Sequence, residues 1–186
     1  MTRIISGKAK GKILINLAGD LVQPTSSRTK EALFSILASR QLDGAFLDLF
    51  AGSGQIGLEA ASRGFSPVIL VEKSRSAQQV IRKNIAATKL QTAATLICLS
   101  ARQAIARLHR QGLLFNVIFL DPPWNVAAEL FADLAIPLTE LLQENGVLIL
   151  EHHKNVKSPE AVTGLEYSSS CKYGNAVLSF YQKVAQ

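Results

Sequence analysis

From Ala45 onward, short apolar segments alternate with longer amphipathic segments, and this alternation limits the possible folds more than any other feature. The apolar segments predict five strands, near residues 46–50, 68–72, 94–99, 117–121 and 147–151. Helices are predicted to follow the first four of them, near residues 55–63, 74–88, 102–111 and 127–144. Apolar strands that alternate with helices of this length predict an α/β fold, in which a mostly parallel sheet is covered on both faces.

The segments before and after this alternation have a different pattern. Residues 3–16 place apolar residues around a Gly- and Lys-rich centre and predict a β-hairpin with a basic tip. Ser26 or Ser27 can cap a helix that runs to about Arg40. Residues 165–172 and 176–183 predict a closing antiparallel hairpin. We therefore expect an N-terminal extension over residues 1–44, followed by one α/β domain over residues 45–186.

Much of the net charge of +6 lies near the N-terminus. The first forty residues contain seven lysine or arginine residues and two acidic residues, so this segment carries +5. A basic appendage on a near-neutral body indicates a phosphate-binding surface, and a merely solvated basic face is the alternative. The candidate phosphate contacts are Arg3, Lys8, Lys10, Lys12, Arg28 and Lys30.

Composition argues against several other classes of protein. Hydrophobic residues make up 48% of the chain and charged residues 18%, which is typical of a globular protein rather than a disordered one. No apolar run approaches the roughly 18 residues of a membrane span, and no secretory leader is evident, so we expect a cytoplasmic location. Cys98 and Cys171 are far apart and His152–His153 lack a third ligand, so we expect neither a disulfide framework nor a metal site.

A glycine-rich loop follows the first predicted strand. Gly52, Gly54 and Gly57 satisfy the spacing G-x-G-x-x-G between a strand and a helix, which is typical of nucleotide-binding loops. Glu72 ends the next strand, where a carboxylate can accept hydrogen bonds from both hydroxyl groups of a ribose. Asp48 lies four residues before Gly52, where an acid can meet a cationic group of the ligand. This loop fits NAD as well as S-adenosylmethionine, since both contain an adenosine.

The fourth strand ends in Asp121-Pro122-Pro123-Trp124, and ligands of open α/β sheets bind at the carboxyl ends of strands. Each proline lacks a backbone N–H, so this corner is rich in hydrogen-bond acceptors next to a stacking surface. Such a corner suits a flat base with an exocyclic amino group, and an ordinary strand-terminating turn is the alternative. Together with Asp48, the corner favours the methyl donor over NAD, because a hydride-transfer enzyme needs a substrate domain for which this chain is short.

At these residues the chain resembles the RsmD family of 16S rRNA (guanine-N2)-methyltransferases, which are class I S-adenosylmethionine-dependent enzymes. The resemblance covers nearly the whole chain. It includes Arg3–Gly7, the segment from Pro24 to Phe34 with its Pro-Thr-x-x-Arg pattern, the glycine loop and Phe119–Pro123. The Pro-Thr-x-x-Arg segment and the N-terminal hairpin discriminate most, because many methyltransferases share the glycine loop.

The resemblance implies a Rossmann-like, seven-stranded sheet and methyl transfer to the N2 amino group of one guanine in 16S rRNA. The implied substrate is the small ribosomal subunit or its assembly intermediate, with the enzyme acting as a monomer. We expect Asp121, Pro122, Pro123 and Trp124 to be catalytic and Thr25 to join the RNA contacts. The implied cofactor contacts are Asp48, Phe50, Ala51, Gly52, Ser53, Gly54, Glu72, Lys73, Ser100, Ala101 and Asp121.

Three residues depart from the family pattern. Trp124 replaces the usual Phe or Tyr, Gln23 replaces a common Arg, and Ser100 replaces an Asp beside the adenine amino group. The serine predicts weaker cofactor binding. Two other functions remain open at this point: an amino methyltransferase acting on adenine N6 or cytosine N4, and an RNA-binding protein whose cofactor site has decayed. Arg28 also has two candidate roles. It can bind phosphate, or it can brace the cofactor loop or the catalytic corner, because its guanidinium group fits carboxylates as well as phosphates.

Overall fold

The computed structural model describes residues 2–17, 26–123, 126–157 and 161–184. The helices are α1 (Ser27–Ser39), α2 (Gln55–Arg63), α3 (Arg75–Thr88), α4 (Ala101–Arg110) and α5 (Ala127–Glu140). The strands are β1 (Phe46–Asp48), β2 (Val68–Val71), β3 (Ala94–Ile97), β4 (Phe115–Leu120), β5 (Leu142–His153), β6 (Ala161–Val162), β7 (Leu165–Tyr173) and β8 (Ala176–Lys183).

These strands form one sheet in the order β3-β2-β1-β4-β5-β8-β7-β6. Strands β1 to β5 pair with one another in parallel, and β8, β7 and β6 are added antiparallel beyond β5. The predicted α/β fold with a mostly parallel sheet is therefore confirmed. Within the described residues the sheet has an eighth strand, because the two-residue β6 pairs with the start of β7 beside the seven longer strands.

Helices cover both faces of the sheet, as the apolar strands require. On one face, α1, α2 and α3 contribute Leu33, Leu58 and Ile81 to a core that also contains Phe119 of β4. On the other face, α4 and α5 contribute Ile105, Leu108, Phe131, Leu134 and Leu138 to a second core. Alternate residues of β4 point to opposite faces, so this strand is buried on both sides.

The predicted N-terminal β-hairpin is not a regular hairpin. Arg3 and Ile13 form an isolated antiparallel bridge, and the chain between them makes turns. Antiparallel hydrogen bonds join Ile4 to Lys12 and Leu14 to Thr2, and beyond them the backbone N–H groups of Ile5 and Ser6 donate to the carboxylate of Glu59 on α2. Ile4 and Leu14 pack into the same core as α1 and α2, so the boundary at residue 44 remains a prediction.

The helix limits agree with the sequence prediction except at one end. Ser26 caps α1, and its hydroxyl oxygen accepts a hydrogen bond from the Thr29 N–H at 3.1 Å. Helix α5 ends at Glu140 rather than near residue 144, because β5 begins at Leu142 beside Phe115 of β4. Among the described residues, no helix is both long and apolar enough to cross a bilayer.

Candidate active site

The glycine loop connects β1 to α2 at the edge where the parallel strands end. Gly52 and Gly54 have φ angles of 55° and 80°, in the left-handed region that favours glycine. Gly57 must lack a side chain for a different reason. A Cβ there would lie 2.9 Å from the side chain of Leu70 and 3.2 Å from Oδ2 of Asp48. The first two glycines therefore allow the turn, and the third allows the close approach of α2 to the neighbouring strands.

Asp48 is buried below this loop, with 2% of its surface exposed. Its Oδ2 accepts a hydrogen bond from the backbone N–H of Gly57 at 2.9 Å, so the side chain connects β1 to the first turn of α2. Burial raises the pKa of Asp48 to about 7; the Gly57 hydrogen bond opposes this rise, and the charges of Asp121 and Glu72 add to it. The carboxyl group therefore titrates near neutral pH, where a bound cation would favour its charged form.

Glu72 holds the loop from the adjacent strand end. One carboxylate oxygen accepts a hydrogen bond from the Gly52 N–H at 2.9 Å, and the other accepts one from the Ser74 N–H at 2.8 Å. The acid predicted to bind a ribose thus lies directly against the glycine loop. Lys73, the next residue in the chain, is exposed.

The Asp-Pro-Pro corner follows β4 at the same edge. Pro122 is buried and Pro123 is exposed, and the Pro123 carbonyl accepts a hydrogen bond from the Val126 N–H at 3.0 Å. Asp121 retains some contact with solvent, although protein surrounds its carboxyl group. Burial raises the pKa of Asp121 well above its ordinary value, and the nearby charge of Glu151 adds to the rise. Trp124 and Thr25, two of the predicted site residues, lie outside the described residues.

Glu151 belongs to this corner and was missed by the sequence analysis. It lies on β5, which pairs with β4 so that Leu150 is opposite Leu120, and the next residue of each strand is an acid. Only 3% of Glu151 is exposed. The signal was present in the sequence, because Glu151 interrupts an apolar strand at the position where that strand meets the catalytic corner.

The two histidines after Glu151 are the last two residues of β5. His152 is 2% exposed, and its Nε2 lies 2.9 Å from Oγ of Ser179 on β8. Burial lowers the pKa of His152, so the neutral ring is favoured. His153 pairs with Ala176, and the chain turns after Tyr173 at Gly174, as the sequence predicts.

Ser100 begins α4 beside the end of β3. Its hydroxyl oxygen accepts a hydrogen bond from the Gln103 N–H at 3.4 Å, and its backbone N–H donates to Oε1 of Gln103 at 3.2 Å, which completes a capping box. The residue where the family has an acid is therefore an N-cap here. Ala101 and Phe50 are partly buried near the same edge of the sheet.

The basic residues predicted to bind phosphate divide into two groups. Arg3, Lys8, Lys10, Lys12 and Arg28 are exposed. Lys30 is not, and its prediction as an RNA contact is wrong for this structure: only 1% of its surface is exposed. Its Nζ donates to the Arg3 carbonyl at 2.7 Å and lies 3.6 Å from Oε2 of Glu59. Burial lowers the pKa of Lys30, and the attraction of Glu59 opposes this effect.

The N-terminal segment, residues 3–15, is held on the body by three side chains that the sequence analysis missed. Glu59 accepts from the backbone of Ile5 and Ser6 at 2.7 and 3.0 Å. Ser62 donates to the Ser6 carbonyl and accepts from the Ala9 N–H. Asn84, the third, exchanges two hydrogen bonds with the backbone of residue 15 and donates to the Ser53 carbonyl. The exposed basic residues therefore project from a fixed backbone.

The chain matches a known family over almost its full length. A family model described as "Conserved hypothetical protein 95" covers residues 2–182. The "Putative rRNA methyltransferase YlbH" of Bacillus subtilis is 34% identical over 97% of this chain and 98% of its own length. The "Ribosomal RNA small subunit methyltransferase D" of Escherichia coli is 35% identical over 78% of this chain and 69% of its own length.

Solved structures agree with the fold. A hypothetical protein of Thermus thermophilus superimposes with a TM-score of 0.84 at 30% identity, over 98% of this chain and 99% of its own. At 18% identity, a SAM-dependent methyltransferase of Agrobacterium tumefaciens shares the fold with a TM-score of 0.65, over 89% of this chain and 64% of its own. The predicted resemblance to the RsmD family is confirmed, and the predicted cofactor, S-adenosylmethionine, agrees with it.

Proposed function

Because the chain belongs to the RsmD family of methyltransferases, we propose that it transfers a methyl group from S-adenosylmethionine to the N2 amino group of a guanine in 16S ribosomal RNA. The substrate is the small ribosomal subunit or its assembly intermediate, and the enzyme acts as a monomer. The observation that carries this proposal is the convergence of Asp48, Glu72 and Asp121 at one edge of the sheet, next to the glycine loop.

The methyl donor fits the residues around this loop. Glu72 offers carboxylate oxygens for the ribose hydroxyl groups, and the N-terminus of α2, which has no side-chain cap, directly follows the loop. The sulfonium and ammonium groups of the donor are cationic. Asp48 and Asp121 supply negative charge for them, since neither carboxylate takes part in an ion pair among the described residues. Binding of a cation would lower the pKa of both groups toward their ordinary values.

Asp121 performs the central step in this proposal. A guanine amino group is a weak nucleophile, because its lone pair is delocalised into the ring. The Asp121 carboxylate and the Pro122 carbonyl accept hydrogen bonds from the amino N–H groups, which localises the lone pair on nitrogen. The nitrogen then bonds to the methyl carbon as the bond from that carbon to sulfur breaks. A carboxylate with a raised pKa is also a stronger base, so Asp121 is suited to receive the proton that the nitrogen loses.

RNA binding is assigned to the exposed basic residues of the N-terminal segment and to Arg28. Arg28 lies at the start of α1, close enough to Tyr173 at the end of β7 for its charge to affect that phenol. Among the described residues no carboxylate forms an ion pair with Arg28, which favours phosphate binding over a bracing role. Phosphate contacts of this kind orient the RNA without reading its sequence. The target guanine must leave its stack to reach Asp121.

The proposal is tested by methyl transfer from labelled S-adenosylmethionine to unmodified small subunits, followed by mass spectrometry of the released nucleosides. We expect N2-methylguanosine from the wild type and from Asp133→Asn, a control that removes an exposed carboxylate of α5. We expect product formation by Asp121→Asn to fall by about 100- to 1,000-fold. Formation of N6-methyladenosine or N4-methylcytidine would show that the alternative base is the substrate. The absence of any product would favour the alternative function, an RNA-binding protein without methyltransferase activity.

A further inference from the structure

The distribution of charge in the middle of the chain differs from that near the N-terminus. Residues 73–120 contain no aspartate or glutamate and eight lysine or arginine residues, so this stretch carries +8 while the rest of the chain carries −2. The near-neutral body predicted from the sequence is therefore strongly polarised. All eight side chains are exposed: Lys73, Arg75, Arg82, Lys83, Lys89, Arg102, Arg107 and Arg110.

The charged part of this stretch, residues 73–110, contains the edge strand β3 and the helices α3 and α4. Strand β3 is the edge strand of the sheet, and the helices on either side of it in sequence, α3 and α4, cover opposite faces. Helix α3 lies on the same face as α1 and α2 and contacts the N-terminal segment. Helix α4 lies on the other face, against α5. The two helices carry similar charge but face different neighbours.

The basic residues of α4 have roles in stabilising the fold. Arg102 forms an ion pair with Asp133 of α5 at 2.7 Å, and His109 lies 3.3 Å from Glu140. Arg107 and Arg110 lie in the last turn of α4, where positive charge interacts favourably with the helix dipole. Their presence needs no partner outside the protein.

Arg82 and Lys83 of α3 have neither an ion-pair partner among the described residues nor a place in the last turn of the helix; Arg82 donates a hydrogen bond to Sγ of Cys98 at 3.2 Å, which leaves its charge unbalanced. Arg82 and Lys83 are adjacent in the middle of the helix, and the positions three and four residues away are Gln, Val, Ile or Ala, so no acidic side chain can pair with them along α3. Neither residue forms an ion pair with another described residue. Lys89 ends the helix and is exposed too. Like charges placed together without acidic partners oppose folding slightly, which favours an external partner of opposite charge.

Helix α3 is also joined directly to the N-terminal segment. Asn84, fully buried and adjacent to Lys83, donates to the Ile15 carbonyl at 3.0 Å and accepts from the Ile15 N–H at 2.8 Å. Lys12 is exposed three residues before this junction, and the side chains of Ile13 and Ile15 are 58% and 49% exposed. The junction joins α3 to the N-terminal segment, so the basic residues of both belong to elements that cover the same face of the sheet.

We infer that Arg82, Lys83 and Lys89 form an α3 basic surface that continues the N-terminal segment and binds the phosphate backbone of the RNA substrate. This inference rests on the proposed function for the identity of the polyanion. The surface is sequence-independent, because exposed lysine and arginine side chains contact phosphates rather than base edges. Its role is to bind RNA that flanks the target guanine and to orient the substrate over the catalytic edge.

The test compares two matched double variants, Arg82→Gln/Lys83→Gln on α3 and Arg107→Gln/Arg110→Gln on α4. Both remove two exposed positive charges from a helix. Binding to unmodified small subunits is measured at several salt concentrations, with thermal stability and S-adenosylhomocysteine affinity as checks on the fold. We expect the α3 variant to bind about ten- to thirtyfold more weakly than the wild type. The salt slope, that is, the slope of log binding constant against log salt concentration, should be smaller in magnitude by about two. The α4 variant should retain the wild-type slope.

Equal losses in the two variants would overturn the inference, because they would show a general effect of net charge. Wild-type binding by the α3 variant would overturn it as well. Methylation by the wild-type protein in the same preparation separates this failure from failure of the proposed function. A wild type that methylates the subunits, with an α3 variant that binds them normally, contradicts the surface alone. A wild type that neither binds nor methylates them contradicts both.

Discussion

Two groups of charged residues lie next to α2 and differ in how their charges are balanced. In the paired cluster, Glu59 lies 3.6 Å from Lys30 and 2.8 Å from Arg63. In the acidic corner, Asp48 accepts from the Gly57 N–H, and its nearest charged neighbours are Asp121 and Glu72, all negative. Both groups are surrounded by protein, yet one contains its own counterions and the other gathers like charges.

This difference in charge balance indicates that the paired cluster stabilises the fold and that the acidic corner serves the proposed function. A buried charge that is removed from water needs a partner, and the paired cluster uses its charges to hold the N-terminal segment on α2. The acidic corner instead keeps carboxyl groups whose pKa values are raised by burial. Sites with such shifts are candidates for binding and catalysis, because the missing counterion can be a ligand. The cationic methyl donor is a ligand of this kind.

The largest effect is expected from breaking the paired cluster. Replacing Glu59 with Ala leaves Lys30 buried without its carboxylate and frees two backbone N–H groups, so we expect the free energy of unfolding to fall by about 3–5 kcal/mol. Denaturant unfolding measures this loss. The control is Glu31→Ala, an exposed residue of α1, which should change stability by less than about 0.5 kcal/mol. A loss below about 1 kcal/mol for Glu59→Ala would show that the cluster is not structural.

The next effect concerns the acidic corner. Asp121→Asn keeps the size of the side chain but removes its negative charge, so kcat should fall by about 100- to 1,000-fold. S-adenosylhomocysteine affinity should stay within a few-fold, and stability at pH 8 should not decrease, because a carboxyl group with a raised pKa disfavours the folded state when ionised. Single-turnover kinetics and thermal unfolding measure the two properties. A stability loss like that of Glu59→Ala, with kcat unchanged, would reverse the assignment of the two groups.

A smaller, pH-dependent effect is expected from Asp48. Its folded pKa of about 7 lies above the unfolded value, so its contribution to stability is present at low pH and is lost as pH rises toward and through 7. If the ionised form binds the cationic donor, S-adenosylmethionine affinity should rise about tenfold between pH 6 and pH 8. Titration calorimetry at both pH values measures the change. Asp48→Asn, which can still accept from the Gly57 N–H, should abolish most of it, and an unchanged pH dependence would exclude Asp48 as the titrating group.

The smallest effect is expected at Ser100. Aspartate is also a good N-cap, so Ser100→Asp should preserve α4 while adding a charged acceptor near the proposed adenine site. We expect cofactor affinity to increase by about two- to fivefold, consistent with one added hydrogen bond of about 0.5–1 kcal/mol. Ser100→Ala, which loses the cap, should lower thermal stability instead. Equilibrium binding measures both variants, and weaker binding by Ser100→Asp would show that the adenine lies elsewhere.

The same contrast explains which features could be predicted from the sequence. The strands and helices could be predicted because apolar spacing is local, and the glycine loop and Asp121 follow strands directly. The burial of Lys30 could not, because its partner Glu59 is distant in sequence and an unpaired lysine resembles a surface residue. The N-terminal hairpin is shorter than predicted, with antiparallel pairing around Arg3 and Ile13, and its attachment to Glu59 could not be predicted because that residue is likewise distant in sequence. Glu151 was missed because only the pairing of β4 with β5 brings it to Asp121.

The central claim is that the acidic corner receives the methyl donor within reach of Asp121. A crystal structure of the complex with S-adenosylhomocysteine tests this claim most directly. We expect the ribose hydroxyl groups at Glu72, the amino-acid end above the glycine loop near Asp48, and the sulfur atom facing the Asp121 corner. A ligand bound elsewhere under saturating conditions, or an unchanged empty loop, would contradict the account.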